Sequence, residues 1–217
     1  MESFFELMSP RPKDVRIRAR NDSTRQYVTF SHFLLPEELN GLLEHALVRR
    51  EKFKRAEVLR PGHRGRVVFR YRRSHVLVDL GEFSDVITYR IRSYLPWVVR
   101  KLGIPPFRVR RALAHVTANN DGDFFKRHTD FYQGRVITFV YYFYREPKRF
   151  TGGELRLYHT NCKNGRVAAT RDFDTILPQQ NHIVFFPSFL VHEVSRVRCP
   201  SHALEDSRFT VTGWVYR

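Results

Sequence analysis

Between Phe107 and Tyr216 the chain alternates apolar and polar residues, in short runs separated by Gly, Pro, Asn and Asp. A period of two is the signature of strands with one buried face. The runs are Phe107 to Thr117, Val136 to Phe143, Glu154 to Tyr158, Asp172 to Ile176, His182 to Phe186, Glu193 to Val197 and Phe209 to Tyr216. That many short strands with turn residues between them predict a sandwich or small barrel. Upstream the period lengthens. Pro36 with Glu37 and Glu38 opens a helix whose Leu39, Leu42, Leu43, Ala46 and Leu47 form one stripe. A second helix is predicted from Ser84 to Leu102, with Ile87, Ile91, Tyr94, Leu95 and Val98 on one side, Gly103 past its end, and Pro96 kinking or breaking it. Tyr27 to Phe30 reads as a strand, and residues 1–26, which lack periodicity, as an N-terminal arm. The pattern therefore divides the chain into that arm, an elaboration over 27–106, and a mainly β core over 107–217 with flanking helices, an α+β arrangement.

Composition narrows this only a little. A length of 217 residues suits one domain, and nineteen Phe with ten Tyr favour a β-rich core. Cys162 and Cys199 are too few for a disulfide framework, and no segment reads as a signal peptide or membrane span, so a soluble, cytoplasmic protein is expected. Charge adds more. The net is +16, and residues 49–73 alone hold eleven Lys/Arg against two acids, interrupted by Pro61-Gly62 and Gly65. Val67-Val68-Phe69 and His75 to Val78 are predicted strands within and after this stretch. It is either a solvated hairpin or a basic flap that receives an acidic substrate.

The candidate chemistry lies around His128 and Asp130. Two residues apart on an extended strand, they face the same way and can share a metal ion. His192, after the apolar run Ile183-Val184-Phe185-Phe186, is the candidate third ligand. Two imidazoles and one carboxylate on one face leave open positions opposite, which suits non-haem Fe(II). His115, His159, His182 and His202 compete, but none has a carboxylate two residues away. Strand parity supplies a second constellation: Thr138 and Tyr142 share a face, as do Arg208, Thr210, Thr212 and Trp214. If both faces look inward, Arg208 is a buried cation in need of an anion. That anion is a ligand carboxylate or a structural acid such as Asp206 or Glu154.

Four blocks resemble the prolyl 4-hydroxylase-type Fe(II)/2-oxoglutarate oxygenases. They are Gly122-Asp123-Phe124-Phe125-x-x-His128-x-Asp130, Gly152-Gly153-Glu154-Leu155-Arg156-Leu157-Tyr158, Phe185-Phe186-Pro187-Ser188 leading to His192-Glu193-Val194, and Arg208-Phe209-Thr210-Val211-Thr212-Gly213-Trp214. The resemblance covers residues 107–217 in unbroken order. It implies a double-stranded β-helix of jelly-roll, cupin-like type, with iron on His128, Asp130 and His192. It implies that Arg208 and Tyr142 hold the far carboxylate of 2-oxoglutarate, with Thr138 on the same wall. It also implies conversion of 2-oxoglutarate and O2 to succinate and CO2 as an amino acid, free, carrier-bound or in a peptide or protein, is hydroxylated, with L-ascorbate as reductant. Two departures stand out. Many relatives carry a Tyr where this chain reads His115-Val116-Thr117, and the segment Cys199 to Asp206 is an insertion expected to form a loop. The charge invites a nucleic-acid oxidative demethylase as the alternative, but that branch usually has a second Arg where Trp214 stands. A basic binding module with a vestigial site is the non-enzymatic alternative.

Overall fold

The computed structural model describes residues 26–60, 63–132, 134–163 and 166–217, so the N-terminal arm and the Pro61-Gly62 break lie outside the described residues. Strand β1 (Val28–Ser31) precedes helix α1 (Pro36–Val48). The basic stretch carries β2 (Lys54–Arg55), β3 (Val58–Arg60), β4 (His63–Arg66) and β5 (Arg72–Arg73), followed by β6 (His75–Leu77) and α2 (Phe83–Lys101). The core then runs through β7 (Arg111–Asn119), β8 (Phe124–His128), β9 (Arg135–Phe143), β10 (Thr151–Gly152) and β11 (Leu155–Lys163). It closes with β12 (Arg166–Ile176), β13 (His182–Pro187), β14 (His192–Val194), β15 (Val197–Arg198) and β16 (Arg208–Tyr216).

Two antiparallel sheets face one another. The larger has the order β1-β13-β9-β16-β7-β6-β2, the smaller β12-β11-β14-β8-β5. Alternation along β9 explains the layering. Ile137, Phe139, Tyr141 and Phe143 point outward into a core shared with α1 and α2, where Leu42, Ala46, Ile91 and Val98 are fully buried. Val140 and Tyr142 point inward and pack with Leu155, Leu157, Val184 and Phe186 between the sheets. The large sheet thus spends one face on the helices and the other on the interior. Helix α1 is tied down at its start: Glu38 Oε2 accepts from the Leu35 backbone N–H at 2.8 Å and from Arg90 Nη2 of α2 at 2.7 Å. Among the described residues no helix is long and apolar enough to cross a membrane.

Three local expectations need correction. Helix α2 runs unbroken through Pro96, because Arg92, whose carbonyl loses its partner there, lies on the exposed side with Ser93 and Pro96 itself. Val67-Val68-Phe69 is not a strand. It leads into a turn in which the Tyr71 and Arg72 N–H groups both donate to Val68 O, and Val67 and Phe69 are exposed. The run from Glu193 to Val197 is split, since β14 ends at Val194 and the chain changes sheets to pair Val197 with Gly152. The segment Cys199 to Asp206 links β15 to β16 as the expected loop, with one 3-10 turn, Leu204–Asp206.

Gly213 is closely packed in the large sheet, where an added Cβ would come within 2.3 Å of Phe139 Cζ and 2.4 Å of Leu113 O. Overpacking of this kind costs about 1–3 kcal/mol. Gly213→Ala is therefore expected to lower the urea midpoint of unfolding, and an unchanged midpoint would mean the sheet yields freely there.

Candidate active site

Strand register brings the two imidazoles together. β14 pairs with β8 so that His192 lies directly opposite His128, and their ring centroids are 4.1 Å apart. Cross-strand neighbours on one face are the natural contact pair of an antiparallel sheet. Asp130 arrives differently. β8 ends at His128, so the carboxylate sits beyond the strand, where its N–H donates to Ser188 O at 3.0 Å. Strand parity is only half the reason for its placement. The ligand atoms of His128, Asp130 and His192 all lie within 4.8 Å of one another, and His192 Nε2 is 3.6 Å from Asp130 Oδ2.

Each group is held in a ligating form. His128 Nδ1 is 2.8 Å from Lys126 O and His192 Nδ1 is 2.9 Å from Leu190 O; a carbonyl only accepts, so each ring donates from Nδ1, which leaves Nε2 as the atom available to a metal. Phe125 stacks on His128 at 3.5 Å, and Phe186 meets His192 edge-on at 4.9 Å. Burial, and after it the neighbouring His192, pushes the His128 pKa down to about 3. Burial pushes the Asp130 carboxyl up, but the two imidazoles, the Trp214 indole N–H and Arg135 outweigh it and keep it below the usual carboxylate range. Thr138 Oγ1 stands 3.1 Å from Asp130 Oδ2 and 3.0 Å from Ser188 Oγ. A carboxylate only accepts, so the threonine donates to Asp130 and takes the Ser188 hydroxyl as its own donor. Two imidazole nitrogens and a carboxylate gathered at a cavity are a donor set that would suit Fe(II), held by His128, Asp130 and His192.

That cavity, about 480 Å³, lies between the sheets and is lined by the triad and by Arg208, Thr210, Thr212 and Trp214 of β16. Arg208 is 1% exposed. Its Nη1 donates to Asn119 Oδ1 at 3.0 Å, its Cζ lies 5.0 Å from the centre of the Tyr142 ring, and its Nε and Nη2 have no partner. No ion pair joins it to Asp206 or Glu154 among the described residues, and Ser195 Oγ donates to the Glu154 carboxylate instead. Tyr142 Oη is likewise buried without a partner, and burial raises its pKa to about 12, so the phenol stays protonated. Two polar groups left open beside each other in an apolar setting call for an anion. Gly153, at φ +69°, makes room for this arginine: a Cβ there would fall 2.5 Å from Arg208 Cδ.

Several residues in or beside the site had no clear sequence signal. Ser188 and Asn119 act through hydrogen bonds made across strands. His115 and Thr117, which occupy the strand where a Tyr is usual, present Nε2 and Oγ1 to the cavity wall without partners. Arg135 Cζ lies 3.8 Å over the Trp214 ring, and Tyr71 and Arg72 come from the basic stretch. His159 pairs with Asp174 at 3.5 Å, and neither it nor His182 nor His202 lines the cavity.

Geometry and kinship agree on the class of domain. Residues 114–216 match the profile of the 2OG-Fe(II) oxygenase superfamily. An uncharacterized PKHD-type hydroxylase of Synechocystis sp. is 38% identical over 195 residues, which are 87% of this chain and 62% of that relative, so the chain spans under two thirds of its length. The fold matches a prolyl-4-hydroxylase from Pseudomonas putida, with TM-score 0.64, 20% identity, and coverage of 89% of this chain and 94% of that one. It also matches a Trichoplax adhaerens prolyl hydroxylase solved with a hypoxia inducible factor peptide, with TM-score 0.60, 19% identity, and coverage of 88% and 83%. These two likenesses establish the jelly-roll fold with its flanking helices.

Because Thr138 holds Asp130 in place, Thr138→Val is expected to weaken Fe(II) or Mn(II) binding by about 10- to 100-fold, the range found for residues that support metal ligands. Equilibrium dialysis checks this, and undiminished affinity would show that Asp130 needs no such support.

Proposed function

We propose that this protein is an Fe(II)- and 2-oxoglutarate-dependent hydroxylase of an amino-acid-type substrate, a residue in a peptide or protein or a free or carrier-bound amino acid. One observation carries the reading: the His128, Asp130, His192 cluster shares a single cavity with the buried Arg208, whose free Nε and Nη2 and the unpartnered hydroxyl of neighbouring Tyr142 call for an anion. Bound ferrous iron with 2-oxoglutarate supplies oxygen activation, giving succinate and CO2 as the substrate is hydroxylated. His128 and His192 would hold the iron through Nε2, and Asp130 through a carboxylate oxygen. Arg208, through its Nε and Nη2, and Tyr142, through its hydroxyl, bind the far carboxylate of 2-oxoglutarate. Phe125, Val140 and Leu155 line the space around the metal with apolar surface, which limits water there.

The amino-acid-type substrate is supported by the hydroxylase and prolyl hydroxylase names of similar proteins, one of which holds a peptide. A nucleic-acid substrate finds less support, because the position of the second arginine used by demethylases is Trp214, and Arg135 covers its ring.

With Fe(II), 2-oxoglutarate and L-ascorbate the protein is expected to release succinate, and Asp130→Ala to abolish that release without unfolding. Arg208→Ala is expected to weaken 2-oxoglutarate by at least about tenfold, as the loss of a charged hydrogen-bond donor implies, while leaving iron affinity little changed. Succinate release by the Asp130 variant, or unaltered 2-oxoglutarate affinity in the Arg208 variant, would overturn the assignment.

A further inference from the structure

Besides Arg208, the cavity is lined by Arg72 and Arg135. Arg72 of β5 reaches it because β5 is the edge strand beside β8, with Arg72 opposite Phe125. Its Cζ stacks 4.6 Å over the Phe125 ring, the same ring that packs on His128. Nε donates to Ser74 Oγ at 3.0 Å and Nη1 to Glu57 O at 3.3 Å. The side chain is thus fixed at one edge while Nη2 has no partner among the described residues, and no acid forms an ion pair with it. Glu57 and Asp130 are the acids among the lining residues. Glu57 is exposed and touches Arg72 only through its carbonyl, and Asp130 is committed to the triad. Burial lowers the Arg72 pKa to about 10, which still leaves it cationic at neutral pH.

A count of charge sharpens the point, and it rests on the function proposed above. Ferrous iron, the Asp130 carboxylate, doubly ionised 2-oxoglutarate and Arg208 together sum to neutrality. Arg72 and Arg135 then remain on the cavity wall against the single exposed carboxylate of Glu57, a net positive charge. A preorganised cation in a poorly solvated site loses little on binding an anion, because its own ordering and desolvation have already taken place.

We infer that Arg72 is a specificity residue that binds a carboxylate of the substrate, so that the hydroxylated residue lies next to an acidic group. The carboxylate belongs either to an Asp or Glu side chain or to a free α-carboxylate. Both sources present the planar, two-oxygen acceptor that a guanidinium edge matches. Arg73, next along the strand, is exposed, sits over Phe124, and does not line the cavity. It contributes only to the general basic field.

Oriented peptide libraries test this under anaerobic conditions, with the full-length protein loaded with Fe(II) and 2-oxoglutarate. One set fixes Asp or Glu against Asn or Gln at an internal position, and another compares free C-termini with C-terminal amides. Wild-type protein is expected to retain the acidic member of one pair at least about tenfold over its amide, and the pair that discriminates identifies the source. Arg72→Gln is expected to erase that preference, Arg73→Gln to keep it, and both to bind 2-oxoglutarate within about twofold of wild type. Equal retention of acids and amides by the wild type, or an acid preference that survives in Arg72→Gln, overturns the inference while leaving the oxygenase reading in place. Loss of 2-oxoglutarate affinity in Arg72→Gln equal to that in Arg208→Ala would assign Arg72 to the co-substrate and also overturns it. Wild-type protein that binds no 2-oxoglutarate removes the parent reading and this one together.

Discussion

The site depends on one register. His128 and His192 belong to β8 and β14, which meet in the small sheet with these two residues directly opposed. Were β14 shifted by one residue, every side chain on it would change faces, and Glu193 rather than His192 would point at the cavity. The register is secured on both flanks. β14 also pairs with β11, with Leu157 opposite His192, while β8 takes β5 on its other side. The two candidate histidine ligands therefore come from the middle of a five-stranded sheet, where backbone pairing on both edges limits drift.

The second requirement is a large sheet with two unlike faces. Its outer face is closed by α1 and α2 through an aromatic core in which Phe30 packs edge-on against Tyr94 at 4.6 Å. Its inner face can consequently afford polar groups that a fully apolar interior would not tolerate. Arg208, Tyr142, Thr117 and His115 all stand on that face with open hydrogen-bonding positions. Such groups lower stability in the empty protein and are the means by which a ligand gains affinity. The Gly152-Gly153 turn belongs to the same design, since a side chain at Gly153 would displace Arg208.

How much of this was legible in the sequence follows from which interactions are local. Period-two alternation located the strands that bury one face, and parity placed Thr138, Tyr142, Arg208 and Trp214 around one interior. The pairing of β11 with β12 extends well past the predicted runs because its outer part, from Ala168 to Asp172, is exposed and so has no buried face to impose alternation. Asp130 was found by spacing but is held by Ser188 and Thr138, contacts that no local pattern encodes. The role of the basic stretch was hidden most completely. Its charge was evident, yet that Tyr71 and Arg72 form a wall of the cavity follows only from the pairing of β5 with β8.

The most direct test is a crystal structure with Mn(II) in place of iron and with 2-oxoglutarate bound, read by anomalous diffraction. One metal peak is expected, bonded to Nε2 of His128, Nε2 of His192 and a carboxylate oxygen of Asp130, with the distal carboxylate of 2-oxoglutarate on Arg208. A peak bonded to other residues, or no ordered metal at saturating concentration, would contradict the central claim that these three side chains form a ferrous centre.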